Sequence, residues 1–143
     1  MKKKSKSWIK AIETTVDNIV FDSKSEAARY SELKILWLAG EITELVCHTK
    51  YPLTINGACI GHYSDDFSYY EKGSSVRHVE DVKGFTTPLA RLRMKVFEAC
   101  YPEVGFWIYK SGRRMKLSER APRKHKRTTT TRKPPVRRAK KRA

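Results

Sequence analysis

Long apolar runs are missing from this chain. No stretch approaches the roughly 18 consecutive apolar residues that a membrane span needs, and Met1-Lys2-Lys3-Lys4 is not followed by a signal-type apolar core. The expectation is a cytoplasmic protein with no membrane partner. Cysteine is scarce and odd in number. Cys47, Cys59 and Cys100 stand far apart, with no Cys-x-x-Cys pair and no nearby His at zinc spacing. This argues against a disulfide framework and a zinc site, and the three are expected to be reduced, mostly buried thiols. Internal repeats are absent, and 143 residues leave room for one domain with a single modest core. Acid is the charge in short supply: 15 Asp and Glu face 31 Lys and Arg, a formal net charge of +16 that points to a polyanionic partner.

That charge is unevenly placed. Residues 110–143 hold 16 Lys/Arg against one acid, whereas residues 11–109 hold 10 against 14. A mildly acidic core with basic ends is expected: a flexible basic arm over residues 1–10, one domain over 11–117, and a nucleic-acid-binding tail over 118–143. Beyond about Leu117 no apolar periodicity remains. A segment rich in Lys, Arg, Thr and Pro cannot bury enough surface to offset its ordering entropy, so the tail is expected to be disordered when free. Neutralising several phosphates releases counterions, which gives strong, salt-sensitive, sequence-independent binding.

Between the ends, Ser23 with Glu26 three residues later has the capping-box pattern. Ala27, Tyr30, Leu33, Ile35, Trp37 and Leu38 fill the turns of a helix that Gly40 stops. From Ile42 to Ile55 the pattern is β-type, with Asn56-Gly57 as a turn signal. Cys59 to Tyr70 is expected as one further strand, Glu71 to Ser75 as a hairpin loop, and Val76 to Lys83 as the antiparallel return. Thr86-Thr87-Pro88 has helix-start chemistry. Leu89, Leu92, Val96 and Ala99 then recur at helical spacing, with Arg91, Lys95 and Glu98 on the other face. Tyr101-Pro102 ends this helix before a last strand, Val104 to Tyr109. Trp37, Phe97, Phe106 and Trp107 are expected to pack in the core. His48, His62 and His78 are expected at the surface or at sheet edges, His62 lying near Asp66. The order suits the α/β class, a mixed sheet flanked by helices.

Glu80-Asp81-Val82-Lys83-Gly84 carries the densest chemistry. In a strand, residues i and i+2 share a face, so Asp81 and Lys83 point together while Val82 points into the core. Glu80 is out of phase with Lys83 and belongs at the surface or behind the site. The hairpin brings Asp66 and Asp81 onto neighbouring strands, and alternation puts Asp65 and Phe67 on the face opposite Asp66, which favours Asp66 over Asp65. Each signal has an ordinary explanation. A Glu three residues after a Ser is most often a cap, and a solvated Asp81–Lys83 pair is worth little. Together they point further. An acid on a strand flanked by core is costly when unpaired, and Glu26 and Asp66 beside it would raise each other's pKa unless a divalent cation offset the charge. Hard oxygen ligands suit magnesium or manganese. Lys83, protonated, can hold a water or stabilise charge on a phosphate. Hydrolysis of a phosphodiester needs an activated water and a cation together.

A helix-borne glutamate, a hairpin aspartate, and acid-x-Lys-Gly at the end of the next strand resemble the PD-(D/E)XK nuclease superfamily. Phe21-Asp22-Ser23-Lys24-Ser25-Glu26-Ala27, Tyr63-Ser64-Asp65-Asp66-Phe67 and Val79-Glu80-Asp81-Val82-Lys83-Gly84 are similar, more narrowly, to small phage proteins related to endonuclease I, the Holliday junction resolvase. The resemblance covers roughly residues 20–109. It implies a restriction-endonuclease-like core and catalysis by Glu26, Asp66, Asp81 and Lys83. It also implies a magnesium site, which manganese could fill, made by Glu26, Asp66, Asp81 and the backbone carbonyl of Val82. A homodimer cutting two strands of branched DNA in an infected or lysogenic bacterium follows from the same resemblance, with no small-molecule cofactor. Two departures stand: no proline precedes the aspartate, and the second motif acid is Asp81 where Glu is commoner.

DNA contacts are expected from Lys24, from Arg91, Arg93 and Lys95 on the helix after the active strand, and from Arg113, Arg114 and Lys116. Arg123, Lys124, Lys126 and Arg127 of the tail complete the set. Two rival readings are a nuclease on linear or nicked DNA, and a non-enzymatic nucleic-acid-binding protein whose acidic sheet is only a scaffold. The latter predicts neither cleavage nor a metal requirement.

Overall fold

The computed structural model describes residues 11–117. The expected basic arm and the tail, with Arg123, Lys124, Lys126 and Arg127, lie outside the described residues. The chain opens with a hairpin of two short strands, β1 (Thr14–Val16) and β2 (Ile19–Phe21). Its turn residues Asp17 and Asn18 both have positive φ, 50° and 63°, the type I′ geometry that follows strand twist. Helix α1 (Lys24–Leu38) begins where expected. Its N-cap Ser23 accepts the Glu26 N–H on Oγ at 3.2 Å, satisfying one of the orphan donors of the first turn. Helix α2 (Pro88–Cys100) starts in the same manner, with Thr87 as N-cap and Pro88 in the first turn.

Seven further strands are described: β3 (Ile42–Cys47), β4 (Lys50–Ile55), β5 (Ala58–Ser64), β6 (Phe67–Glu71), β7 (Arg77–Val82), β8 (Gly105–Lys110) and β9 (Arg113–Met115). The main sheet has the order β3-β6-β7-β8-β9, with β7 and β8 parallel and the other pairs antiparallel. Parallel neighbours need a crossover, and α2 supplies it. The β4–β5 hairpin stands apart as a two-stranded sheet, so the architecture is mixed α/β.

The expected single strand from Cys59 to Tyr70 is broken at Asp65-Asp66. Its first part pairs with β4, its second with β3 and β7. Asp65 fixes the break, because its buried carboxylate accepts the Thr49 N–H at 2.7 Å and the Tyr51 hydroxyl at 3.1 Å.

Each face of the main sheet is covered by one helix and one hairpin. Phe21, Tyr30 and Leu33 pack with Phe67, Tyr69 and Val82 on the α1 side. Met94 and Phe97 of α2 pack with Leu53 and Tyr63 of the second hairpin and with Val79, Phe106 and Ile108 on the other. Several expected core positions are corrected here. Ile35, Trp37 and Leu38 are 67%, 47% and 74% exposed, because consecutive apolar residues surround the helix while the sheet covers only the Ala27-Tyr30-Leu33 stripe. Leu89 and Leu92 are likewise exposed, since α2 turns Met94 and Phe97 inward instead. Trp107 is half-buried. Cys59 is exposed, and Cys47 and Cys100 are half-buried; all three are free thiols. No described helix is long and apolar enough to cross a membrane.

These positions separate packing from periodicity. Phe97→Ala, which empties a site bounded by Tyr51, Tyr63, Tyr101 and Phe106, is expected to lose about 3–5 kcal/mol in urea unfolding. Leu89→Ala is expected to stay within about 0.5 kcal/mol of wild type. Equal losses would mean that Leu89 is covered in solution.

Candidate functional site

Because both faces of the sheet are covered, Val79, Glu80, Asp81 and Val82 are all buried. Strand alternation sends Glu80 and Val82 toward α1, and Val79 and Asp81 toward α2. Of its two expected positions, Glu80 takes the one behind the site, with no exposed surface. Arg29 of α1 meets it with two bonds, Nε to Oε2 at 2.9 Å and Nη2 to Oε1 at 2.8 Å. This is the bidentate fork that suits a desolvated carboxylate. The Tyr69 hydroxyl also donates to Oε1. Arg114 in turn donates to the Tyr69 oxygen at 3.1 Å and to Glu71 at 2.7 Å. Sequence reading did not find Arg29. Its only local signal is that it stands three residues after Glu26, on a shared helix face.

On the opposite face Asp81 is 3% exposed. The Tyr63 hydroxyl donates to its Oδ2 at 2.7 Å. Burial, reinforced by the Asp81 charge, pushes the phenol pKa well up, so it remains a donor. Oδ1 is fully buried and has no donor beyond the Lys83 ammonium, which stands 2.8 Å away as an ion pair. Asp81 and Lys83 therefore meet at the end of β7. Burial lowers the Lys83 pKa, but Asp81, Asp66 and Glu26 more than offset this, and the net direction is upward. Lys83 is a held cation.

Asp66 sits at the bend between β5 and β6. Its Oδ2 accepts the Val82 N–H at 2.6 Å, closing the end of β7 where β6 has no residue to offer. Burial and then the Asp81 charge push the Asp66 pKa up, Glu26 acting in the same direction and Lys83 against it. Asp65 points elsewhere, into its bonds with Thr49 and Tyr51, and burial pushes it up to about 6.

Glu26 is buried in the first turn of α1. Its carboxylate accepts the Ser23 hydroxyl at 3.1 Å and the Asp22 N–H at 3.2 Å, so it closes its own helix end. Its charge is felt by Asp66 and Lys83. Among the described residues, no three His, Cys, Asp or Glu side chains converge at metal-ligand spacing. The structure thus brings Asp66, Asp81 and Lys83 together at the end of β7, with Val82 between them and Glu26 at one side.

The expected DNA-facing residues divide. Lys24, Arg93, Lys95 and Arg113 are exposed, and Arg91 is half-buried. Arg114 and Lys116 have partners in the fold. Arg114 is tied to Glu71 and lies over Trp107, while Lys116 Nζ stands 3.8 Å over the same ring and donates to the Phe106 carbonyl at 3.3 Å. His48 and His62 are exposed, and His78, half-buried, accepts the Trp107 indole N–H on Nδ1 at 3.0 Å. Between α1 and the ends of β7 and β8 lies a cleft of about 340 Å³, lined by Ser25, Arg29, Lys83, Tyr109, Lys110 and Ser111 among others.

Residues 5–118 match the profile of a family described as "Protein of unknown function (DUF1064)". No curated protein and no solved structure matches the chain.

A carboxyl whose folded pKa lies above its unfolded value holds its proton more tightly in the native state. Stability is then greatest at low pH and is lost as pH rises through the folded pKa. For Asp65 the window runs from about pH 4 to about 6. Glu32 and Glu71, held low by Arg29 and Arg114, act in the opposite sense below about pH 4. In chelator, thermal unfolding of Asp65→Asn is therefore expected to lose less stability than wild type between pH 4 and 6, by on the order of 2 kcal/mol. Parallel curves for the two proteins would show that Asp65 is not the titrating group.

Proposed function

The chain belongs to the DUF1064 family, whose description assigns no activity, and from its own residues we propose that it is a divalent-metal-dependent endodeoxyribonuclease with a restriction-endonuclease-like core. The observation that carries the reading is the buried Oδ1 of Asp81, a carboxylate oxygen that no donor other than the Lys83 ammonium reaches. Beside it stand a second acid raised in pKa and a lysine held charged. Two desolvated carboxylates with one ammonium beside them leave negative charge uncompensated, and a divalent cation bound there would offset it. Two carboxylates and no thiolate suit a hard ion such as magnesium or manganese.

Asp66 and Asp81 would hold the ion, with Glu26 and the Val82 carbonyl as the further oxygens at the end of β7. When bound, such an ion supplies an activated water and neutralises charge developing on a phosphodiester. Lys83 orients that water and stabilises the phosphoryl oxygens. Tyr63 and the Val82 N–H hold the two aspartates in place. Exposed Lys24, Arg93, Lys95 and Arg113, with Arg91 and the basic tail, grip the DNA backbone. Branched DNA and a homodimer are the substrate shape and assembly that the endonuclease I resemblance suggests, and the site would act in a bacterial cytoplasm.

A second reading, a non-enzymatic nucleic-acid binder, draws support from Glu26, whose carboxylate is engaged at its own helix cap. Cleavage separates the two. With magnesium, the full chain is expected to cut a four-way junction at paired positions and a matched linear duplex more slowly. Asp81→Asn and Lys83→Ala should each slow cutting by about 100-fold or more. Junction binding without cleavage in magnesium or manganese would install the binder reading, and equal cutting of both substrates would remove branch selectivity alone.

A further inference from the structure

We propose that Tyr63 is a positioning residue for Asp81, fixing one carboxylate oxygen so that the other is presented to the cation. The inference rests on the metal-dependent reading above and extends it to a residue outside the motif. Tyr63 is on β5, in the two-stranded sheet beneath α2, and is 5% exposed. Its ring lies 4.6 Å from Phe97 and 5.9 Å, edge-on, from Phe106. A ring held on two sides leaves the hydroxyl one direction, and there it donates to Asp81 Oδ2 at 2.7 Å.

Packing does not require that hydroxyl, since phenylalanine would fill the same space between Phe97 and Phe106. What the hydroxyl adds is an assignment of the two Asp81 oxygens. Oδ2 is taken, and Oδ1 stays buried against the Lys83 ammonium. Without the hydroxyl the carboxylate can rotate and offer either oxygen to Lys83, so an ion would have to order it first. Groups behind metal ligands commonly act in this way. The same short segment, three residues on, delivers Asp66 to the end of β7. A single stretch of backbone thus places both the second acid and the group that orients the first.

The probe is manganese, titrated by electron paramagnetic resonance into the full chain without nucleic acid. Tyr63→Phe is expected to weaken manganese binding about 10- to 100-fold. Tyr51→Phe is the control, because Tyr51 packs on the same Phe97 and donates to Asp65 at 3.1 Å. It should lose a similar amount of thermal stability and leave manganese affinity within about threefold, the effect expected away from the ligands. Unchanged affinity in Tyr63→Phe, or equal losses in both variants, overturns the inference while wild-type binding leaves the metal reading standing. No manganese binding by wild type overturns both. Should Tyr63→Phe not fold, the tyrosine Cζ resonance decides in the wild-type protein. Magnesium is expected to move the Tyr63 signal and leave that of Tyr51, and an unmoved Tyr63 signal overturns the inference.

Discussion

The buried pair of Arg29 and Glu80 is the constraint from which the arrangement of this fold follows. Both faces of the sheet are covered, so the last four residues of β7 have no side on which a charge can meet water. A carboxylate there must be neutralised from within the protein. Arg29 does so with two bonds, and the Tyr69 hydroxyl and Arg114 extend the satisfied network toward the sheet edge. A desolvated ion pair adds little net stability, yet removing one partner strands the other charge in the core. The consequence is geometric. Helix α1 is pinned to β7 at one register, and Glu26, one turn before Arg29, is held beside the end of the same strand.

Two adjacent acids on β7 therefore have different fates. Glu80 faces the helix that carries its cation and is fully paired. Asp81 faces the aromatic cluster around Phe97, where it finds one tyrosine hydroxyl and a lysine just past the end of its own strand. The first is fully satisfied by groups from other elements, and the second is met by one hydroxyl and one ammonium.

What was legible in the sequence was local. Ser23 with Glu26, Thr87-Pro88 and Asn56-Gly57 mark helix starts and a turn through bonds within a few residues, and each stands where expected. The closeness of Asp81 and Lys83 follows from their spacing of two residues. The β1–β2 and β8–β9 hairpins were not read as such. Their signals were present, Asp17-Asn18 and Ser111-Gly112 at turns of positive φ, but three-residue strands are too short to show a period. Ile35, Trp37, Leu38, Leu89 and Leu92 show the opposite failure, because spacing defines a face without saying whether anything lies on it. Arg29 with Glu80 and Tyr63 with Asp81 are separated by 51 and 18 residues. Such pairs exist only once the sheet is assembled, and no window of sequence contains them.

The main sheet also has two blunt borders among the described residues. On β3 the register slips between Thr43 and Val46, where Glu44 adopts a φ of 52°, so the backbone there cannot present an even row of donors and acceptors. At the far side β9 is three residues long, and two of them are arginines. Bulges, brevity and charge each discourage a further strand from joining. A further strand would find little purchase at either of these two borders.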